Sequence, residues 1–208
     1  MIDEHLEAWD RDYTTRGQLF GGSPGNLPDL PQGSLVLELG CGNGKSLCAM
    51  GIKGWDVTAV DYSLQAIRMC EERCSISLTP RFVQSDVCYL PFRDCTYDVT
   101  FATHIAGHLL GRERTNLAAE ITRVIKPGGN LYFRDFGTGD FRCGKGEQIE
   151  DQTFRRGFGS VTHYFAIDEV SELFPGFRQV SVSSDRWTMR IRGRTYQREE
   201  IIGVFGKI

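Results

Sequence analysis

The sequence has no long hydrophobic run. Its most apolar stretches, 34–39 and 98–102, fall far short of the ~20 residues that a membrane helix needs. It also lacks the basic and then apolar layout of a signal peptide, since it begins Met1-Ile2-Asp3-Glu4-His5. Both absences point to a cytoplasmic protein with no membrane partner. No C-x-x-C pair occurs among its seven cysteines, at 41, 48, 70, 74, 88, 95 and 143. An odd, scattered set argues against a disulfide framework and against zinc-ligand spacing, so the cysteines are expected to be reduced packing residues and no metal site is expected. The formal charge of −3 excludes a global field for nucleic acid while leaving room for local basic surfaces. There is no internal repeat and no low-complexity tract.

What is present fits one domain over 1–208, with charged residues at 25% and apolar ones at 40%, ordinary values for a globular chain. The first 32 residues carry Trp9, Tyr13 and Phe20 and the turn-rich Gly21-Gly22-Ser23-Pro24-Gly25, which predicts a short amphipathic helix over 3–13 and then an arm or lid. From 33 to 137, short apolar runs alternate with helical patterns. Strands are predicted at 35–39, 57–60, 81–83, 99–102 and 131–133, and helices beginning at Lys45, Ser63 and Arg112. The third helix should stop at Lys126-Pro127-Gly128-Gly129, because proline cannot continue it and glycine accepts the exit turn. Beyond Arg134 the pattern changes. A glycine-rich and charged stretch at 136–160 reads as a loop or insertion, 168–174 as a short helix capped by Asp168, and 180–183 and 201–205 as two strands flanking an arginine-rich segment. Two strands with no full helix between them predict an antiparallel edge on a parallel sheet.

The chemistry begins at Glu38-Leu39-Gly40-Cys41-Gly42-Asn43-Gly44, which follows an apolar strand and opens a helix. Its glycines let the backbone turn sharply and approach a ligand. Dinucleotide enzymes space their glycines G-x-G-x-x-G, and Lys45 stands where the third would be. The G-x-G-x-G spacing after Glu38 instead resembles motif I of the class I S-adenosylmethionine-dependent methyltransferases, of the type 11 kind. Asp61, about 20 residues after the loop, ends the second strand, where a carboxylate can accept bonds from two ribose hydroxyls. Asp86, in Gln84-Ser85-Asp86-Val87, matches the family's acceptor for the adenine amino group. Leu90-Pro91-Phe92 with Tyr97-Asp98-Val99, and Ile125-Lys126-Pro127-Gly128-Gly129, extend the resemblance.

The resemblance implies an α/β, Rossmann-like fold: a mostly parallel seven-stranded sheet with an antiparallel C-terminal edge and helices on both faces. It implies S-adenosylmethionine as cofactor, bound by Glu38, Gly40, Cys41, Gly42, Asn43, Gly44, Asp61, Tyr62, Ser63, Asp86, Val87 and Thr103. Ligands of open parallel sheets lie beyond the carboxyl ends of the strands, which places His104, Arg134 and Asp135 beside the methyl donor. His104 or Asp135 is the candidate to take a proton from the acceptor or to stabilise its charge. The run Leu131-Tyr132-Phe133-Arg134-Asp135-Phe136-Gly137, with Phe154-Arg155-Arg156 and Thr162-His163-Tyr164-Phe165, is similar to the 3-methylcytidine tRNA methyltransferases, in which Arg134 and Asp135 would line the target-base pocket. The segment 138–208 would then supply the substrate side. Arg190, Arg192 and Arg194 alternate, so a single strand would present all three on one face, either as a stripe for a phosphate backbone or as a solvated hairpin paired with Glu199 and Glu200.

Trp9-Asp10-x-x-Tyr13 followed by Phe20-Gly21 and Pro24 also resembles small-molecule methyltransferases of the thiopurine and tellurite-resistance type. The expected reaction is therefore methyl transfer to a nucleophilic N or O, on a tRNA base or on a small molecule. A nucleotide-dependent oxidoreductase is the alternative of a different class. No partner subunit is indicated.

Overall fold

The computed structural model describes residues 4–17, 27–74, 80–156 and 159–208. The expected Phe20-Gly21 and Pro24 loop lies outside the described residues. The five parallel strands are β1 (Leu35–Leu39), β2 (Asp56–Asp61), β3 (Arg81–Gln84), β4 (Tyr97–Thr103) and β5 (Ile125–Phe136). Helices α1 (Glu4–Arg16), α2 (Leu47–Ile52), α3 (Leu64–Cys74) and α4 (Gly111–Val124) fall where the sequence places helical patterns. The sheet has the order β3-β2-β1-β4-β5-β10-β9, its last two members being β9 (Phe177–Ile191) and β10 (Arg194–Lys207). β10 pairs antiparallel with both β5 and β9, which is the expected edge.

Strand alternation divides the core into two layers. Leu37, Leu39, Val60, Ala102, Leu131 and Phe133 point toward α4, where Leu117, Ile121 and Val124 recur at helical spacing. Val36, Val57, Ala59, Val99 and Phe101 point the other way, toward Leu47 and Met50 of α2 and Cys70 of α3. Helices thus cover both faces of the sheet. Among the described residues no helix is long and apolar enough to cross a membrane.

Three expectations beyond Phe136 need correction. The stretch 136–160 is more than a loop: β6 (Glu147–Glu150), β7 (Thr153–Arg156) and β8 (Ser160–His163) form a separate antiparallel three-stranded sheet. Its short strands, broken by glycine and charge, carry too little alternation to be read from sequence. Helix α5 (Ile167–Leu173) is entered at Ala166, so Asp168 lies inside the first turn and makes no cap.

The arginine stripe is also divided. β9 and β10 are a long hairpin whose tight turn is Arg192-Gly193, with both residues at positive φ. Arg190 stands opposite Thr195 and Arg194 opposite Ile191, so Arg190 and Arg194 face opposite sides of the ribbon. β5 reaches β10 only from Asn130 to Phe136, opposite Gly206 to Glu200. The distal half of the hairpin therefore projects past the carboxyl edge of the sheet as a two-stranded arm.

The irregular start of β5, where its pairing with β4 shifts register between Ile125 and Asn130, offers a test. A Cβ on Gly129 would meet the carbonyl oxygen of Asp98 and Cγ2 of Ile125, each at 2.7 Å, whereas Gly128 has open space around it but a φ of +77°. Gly129→Ala is expected to destabilise by overpacking, about 1–3 kcal/mol, and Gly128→Ala by backbone strain, about 1–2 kcal/mol. Urea unfolding measures both; wild-type stability in the Gly129 variant refutes the close approach.

Candidate functional site

Beyond the carboxyl ends of β1, β2, β4 and β5 lies a cavity of about 780 Å³. Glu38, Asp61 and Asp86 all line it, together with Gly40, Cys41, Gly42, Asn43, Tyr62, Val87 and Thr103. The glycine loop is held from β2: the amides of Gly40 and Cys41 both donate to the carbonyl of Val60, at 2.9 and 3.0 Å. Gly40 has φ +70°, and a Cβ there would meet Cδ1 of Ile105 at 2.8 Å, so the position requires glycine. Two members of the expected set stand behind the wall. Gly44 packs against Cys70, and Ser63 is fully buried, its Oγ accepting from the Ala66 amide at 3.1 Å as the cap of α3.

Asp61 joins these pieces. Its Oδ2 accepts from the Gly42 amide at 2.8 Å and its Oδ1 from the Ser63 amide at 2.9 Å. Burial raises its pKa to about 6 despite these amides, which lower it. The hydroxyl of Ser63 donates to Oδ1 of Asp10 at 2.6 Å, tying α1 to the start of α3. α1 thereby brings Trp9 and Tyr13 to the cavity wall, and Trp9 meets His108 edge-on at 4.4 Å. Asp86 uses Oδ1 for the Cys88 amide at 2.8 Å, and its Oδ2 takes no hydrogen bond among the described residues.

Glu38 is nearly inaccessible, and its Oε2 has no hydrogen-bond partner among the described residues. Burial drives its pKa up to about 8, against a smaller downward pull from the Ser46 hydroxyl. A buried carboxylate at the base of a glycine loop, with one oxygen unspent, fits an incoming ammonium. Asp61 keeps acceptor capacity beyond its two amides, which fits ribose hydroxyls. These residues suit the amino-acid and ribose parts of S-adenosylmethionine.

On the other side of the cavity stand His104 and Arg134. His104 adopts φ +54°, a region histidine enters more readily than most residues. Its Nε2 lies 3.1 Å from Oε1 of Glu200, its Nδ1 lies 3.8 Å from Oδ1 of Asp135, and its ring stacks on Phe136 at 4.4 Å. Burial disfavours the imidazolium, but the carboxylates of Asp135 and Glu200 outweigh it and raise the His104 pKa above its ordinary value. Arg134 reaches Oε2 of Glu200 at 3.4 Å. Asp135 does not touch the cavity. It is fully buried behind His104, where Oδ2 accepts from the Gly107 amide at 2.7 Å and Oδ1 from the Phe136 amide at 2.9 Å.

Glu200 was legible only as a partner for the arginine run, yet it is the carboxylate nearest His104. Trp187, Met189, Arg198, Glu200 and Ile202 all line the cavity from one face of the arm. Strand parity carried that signal: 198, 200 and 202 share a face, as do 187 and 189 on the partner strand. Arg142, which follows the 136–140 turn, had no periodic context to mark it.

Comparison with known proteins bears on the fold and the family. Residues 37–133 match the family described as a methyltransferase domain. A 2-methyl-6-phytyl-1,4-hydroquinone methyltransferase of Synechocystis sp. is 33% identical over 57% of this chain and 37% of its own length. The tRNA N(3)-cytidine methyltransferase METTL2 of Gallus gallus is 25% identical over 76% of this chain and 47% of its own length. The chain thus spans less than half the length of either relative. A SAM-dependent methyltransferase from Methanosarcina mazei shares the fold, with a TM-score of 0.73 and 22% identity over 86% of this chain and 95% of that one. These matches support a class I S-adenosylmethionine-dependent methyltransferase domain built around residues 37–133. The match favours the methyltransferase reading over the oxidoreductase alternative.

Glu38 makes the stability of the ligand-free protein depend on pH. Its carboxyl binds a proton more tightly folded than unfolded, so its contribution is full below 4.5 and is lost as pH rises toward about 8. Asp61, raised from 3.8 to about 6, adds to the lower part of that window. Between pH 6 and 8 the unfolding free energy of Glu38→Gln should fall less steeply than that of the wild type. Denaturant unfolding across that range measures it, and an unchanged slope removes Glu38 as a buried acid.

Proposed function

We propose that this chain binds S-adenosylmethionine along the Glu38, Asp61 and Asp86 side of the cavity and transfers its methyl group to a nucleophilic N or O at the His104 and Arg134 side. The observation that carries this reading is the convergence of three carboxylates and the glycine loop on one cavity that continues to His104. The bound cofactor would supply an electrophilic methyl on its sulfonium, and an already nucleophilic acceptor atom would take that methyl in line as the thioether S-adenosylhomocysteine leaves. The protein's part is then chiefly positioning. Trp9, Tyr13 and the β9/β10 arm wall the cavity from water. His104, whose pKa the carboxylates of Asp135 and Glu200 raise, is placed to stabilise negative charge on the acceptor atom, and Asp135 acts through His104 as a positioning residue.

Two acceptor classes are supported. The similarity to METTL2, which extends over 76% of the chain and so beyond the matched 37–133 segment, favours a tRNA base. The similarity to the hydroquinone enzyme favours a small molecule. Transfer of labelled methyl groups to bulk tRNA against a metabolite extract decides between them.

Two variants test the division of labour. Asp61→Ala should weaken S-adenosylhomocysteine binding by about 1.5–3 kcal/mol, read by calorimetry, while NAD fails to bind either form. Wild-type affinity in that variant refutes the ribose assignment. His104→Asn, chosen because asparagine tolerates positive φ, should leave that affinity unchanged and lower kcat about 10²-fold; an undiminished kcat excludes His104 from the reaction.

A further inference from the structure

A second charged cluster lies on the acceptor side, apart from the cofactor loop. Arg142 and Arg198 share one carboxylate, Asp140, whose side chain is wholly buried. Nε of Arg142 donates to Oδ1 at 2.8 Å and Nε of Arg198 to Oδ2 at 2.6 Å, while Nη2 of Arg142 lies 3.3 Å from Oδ2. The Arg142 guanidinium sits 3.9 Å over the Phe136 ring. His104 stacks on that ring at 4.4 Å, and two planar groups so near cannot share a face, so Phe136 is held between them. The Arg198 guanidinium is 5.3 Å from the Trp187 ring and 5.2 Å from Phe136.

Within this cluster the charges do not balance. Asp135 and Glu200 face His104 and Arg134, and Glu200 also faces Arg198. Asp140 neutralises only one of its two arginines, so a net positive charge stays on the pair. Nη1 of Arg142 and Nη2 of Arg198 make no hydrogen bond among the described residues. Both side chains line the cavity beside Phe136 and Trp187. Guanidinium donors left over between aromatic walls call for an oxygen acceptor on a flat ring.

We propose that Arg142 and Arg198 anchor the methyl acceptor, and that it is a planar conjugated ring with an oxyanion or carbonyl oxygen at its edge. This rests on the methyltransferase reading above. The ring chemistry is shared by a phenolate and by the carbonyl-bearing edge of a pyrimidine. Asp140 is a positioning residue: it holds both guanidiniums by Nε and leaves Nη1 of Arg142 and Nη2 of Arg198 to the ligand. The subsite joins the segment after β5 to the projecting arm.

The test uses the full chain saturated with S-adenosylhomocysteine and two probes of matched shape, 4-nitrophenolate and nitrobenzene, in equilibrium dialysis. Wild-type protein should prefer the phenolate by about tenfold or more. Arg142→Ala and Arg198→Ala should each lose most of that preference while binding S-adenosylhomocysteine as the wild type does, which also reports intact folding. Equal binding of the two probes by the wild type, or an unchanged preference in both variants, overturns the proposal. Wild-type protein that does not bind S-adenosylhomocysteine overturns the cofactor reading, and this one with it. Displacement of the phenolate by a short oligocytidylate but not by free cytidine supports the subsite with its ring in RNA, and the reverse supports it with a free metabolite.

Discussion

The architecture of the site depends on one carboxylate. Asp61 closes the end of β2, and its two oxygens accept the amides of Gly42 and Ser63, which belong to the glycine loop and to the entry of α3. Through Ser63 the same linkage extends to Asp10 of α1. Three stretches far apart in sequence, at Asp10, at Gly42 and at Asp61 to Ser63, are therefore tied together through one side chain. Taking that side chain out of water is costly, and the two charge-assisted hydrogen bonds offset the cost while leaving lone pairs for a ligand.

The two sides of the cavity are built on different principles. On the cofactor side, backbone turns and buried acids form a cradle with unspent acceptors: Glu38 Oε2, Asp86 Oδ2 and the spare capacity of Asp61. On the acceptor side, acids and bases are largely paired, with a surplus of guanidinium donors at Asp140. His104 and Arg134 converge on Glu200, Asp135 supports the turn at Gly107, and Asp140 gathers two arginines. Unspent acceptors suit a cationic, hydroxyl-bearing cofactor, and an excess of donors suits an oxygen-bearing partner.

The projecting hairpin arm separates this chain from a bare cofactor domain. β9 and β10 continue beyond the reach of β5, so among the strands their distal residues pair only with each other, and they turn one face to the cavity. Trp187, Met189 and Arg198 lie on that face. The opposite face carries Arg186, whose Nε meets Oε1 of Glu199 at 2.6 Å, together with Arg190. The ribbon thus sorts adjacent acids by parity, with Glu199 serving the outer face and Glu200 the reacting side.

Most of the cofactor half was legible in the sequence, because its signals are local. A strand, a glycine turn and a helix start occur within a dozen residues at 35–47, and Asp61 and Asp86 stand at strand ends that short apolar runs reveal. Hydrophobic alternation and the Pro-Gly-Gly turn determined the parallel sheet in the same way. The acceptor half was decided only by tertiary structure. The three-stranded sheet after Phe136, the burial of Asp135 and the pairing of Glu200 with His104 all join residues that no periodic pattern connects. The arginine run shows why: alternation along one strand predicts a single face, but a turn at Arg192-Gly193 sends Arg190 and Arg194 to opposite sides, and where a chain reverses depends on which ribbon geometry packs.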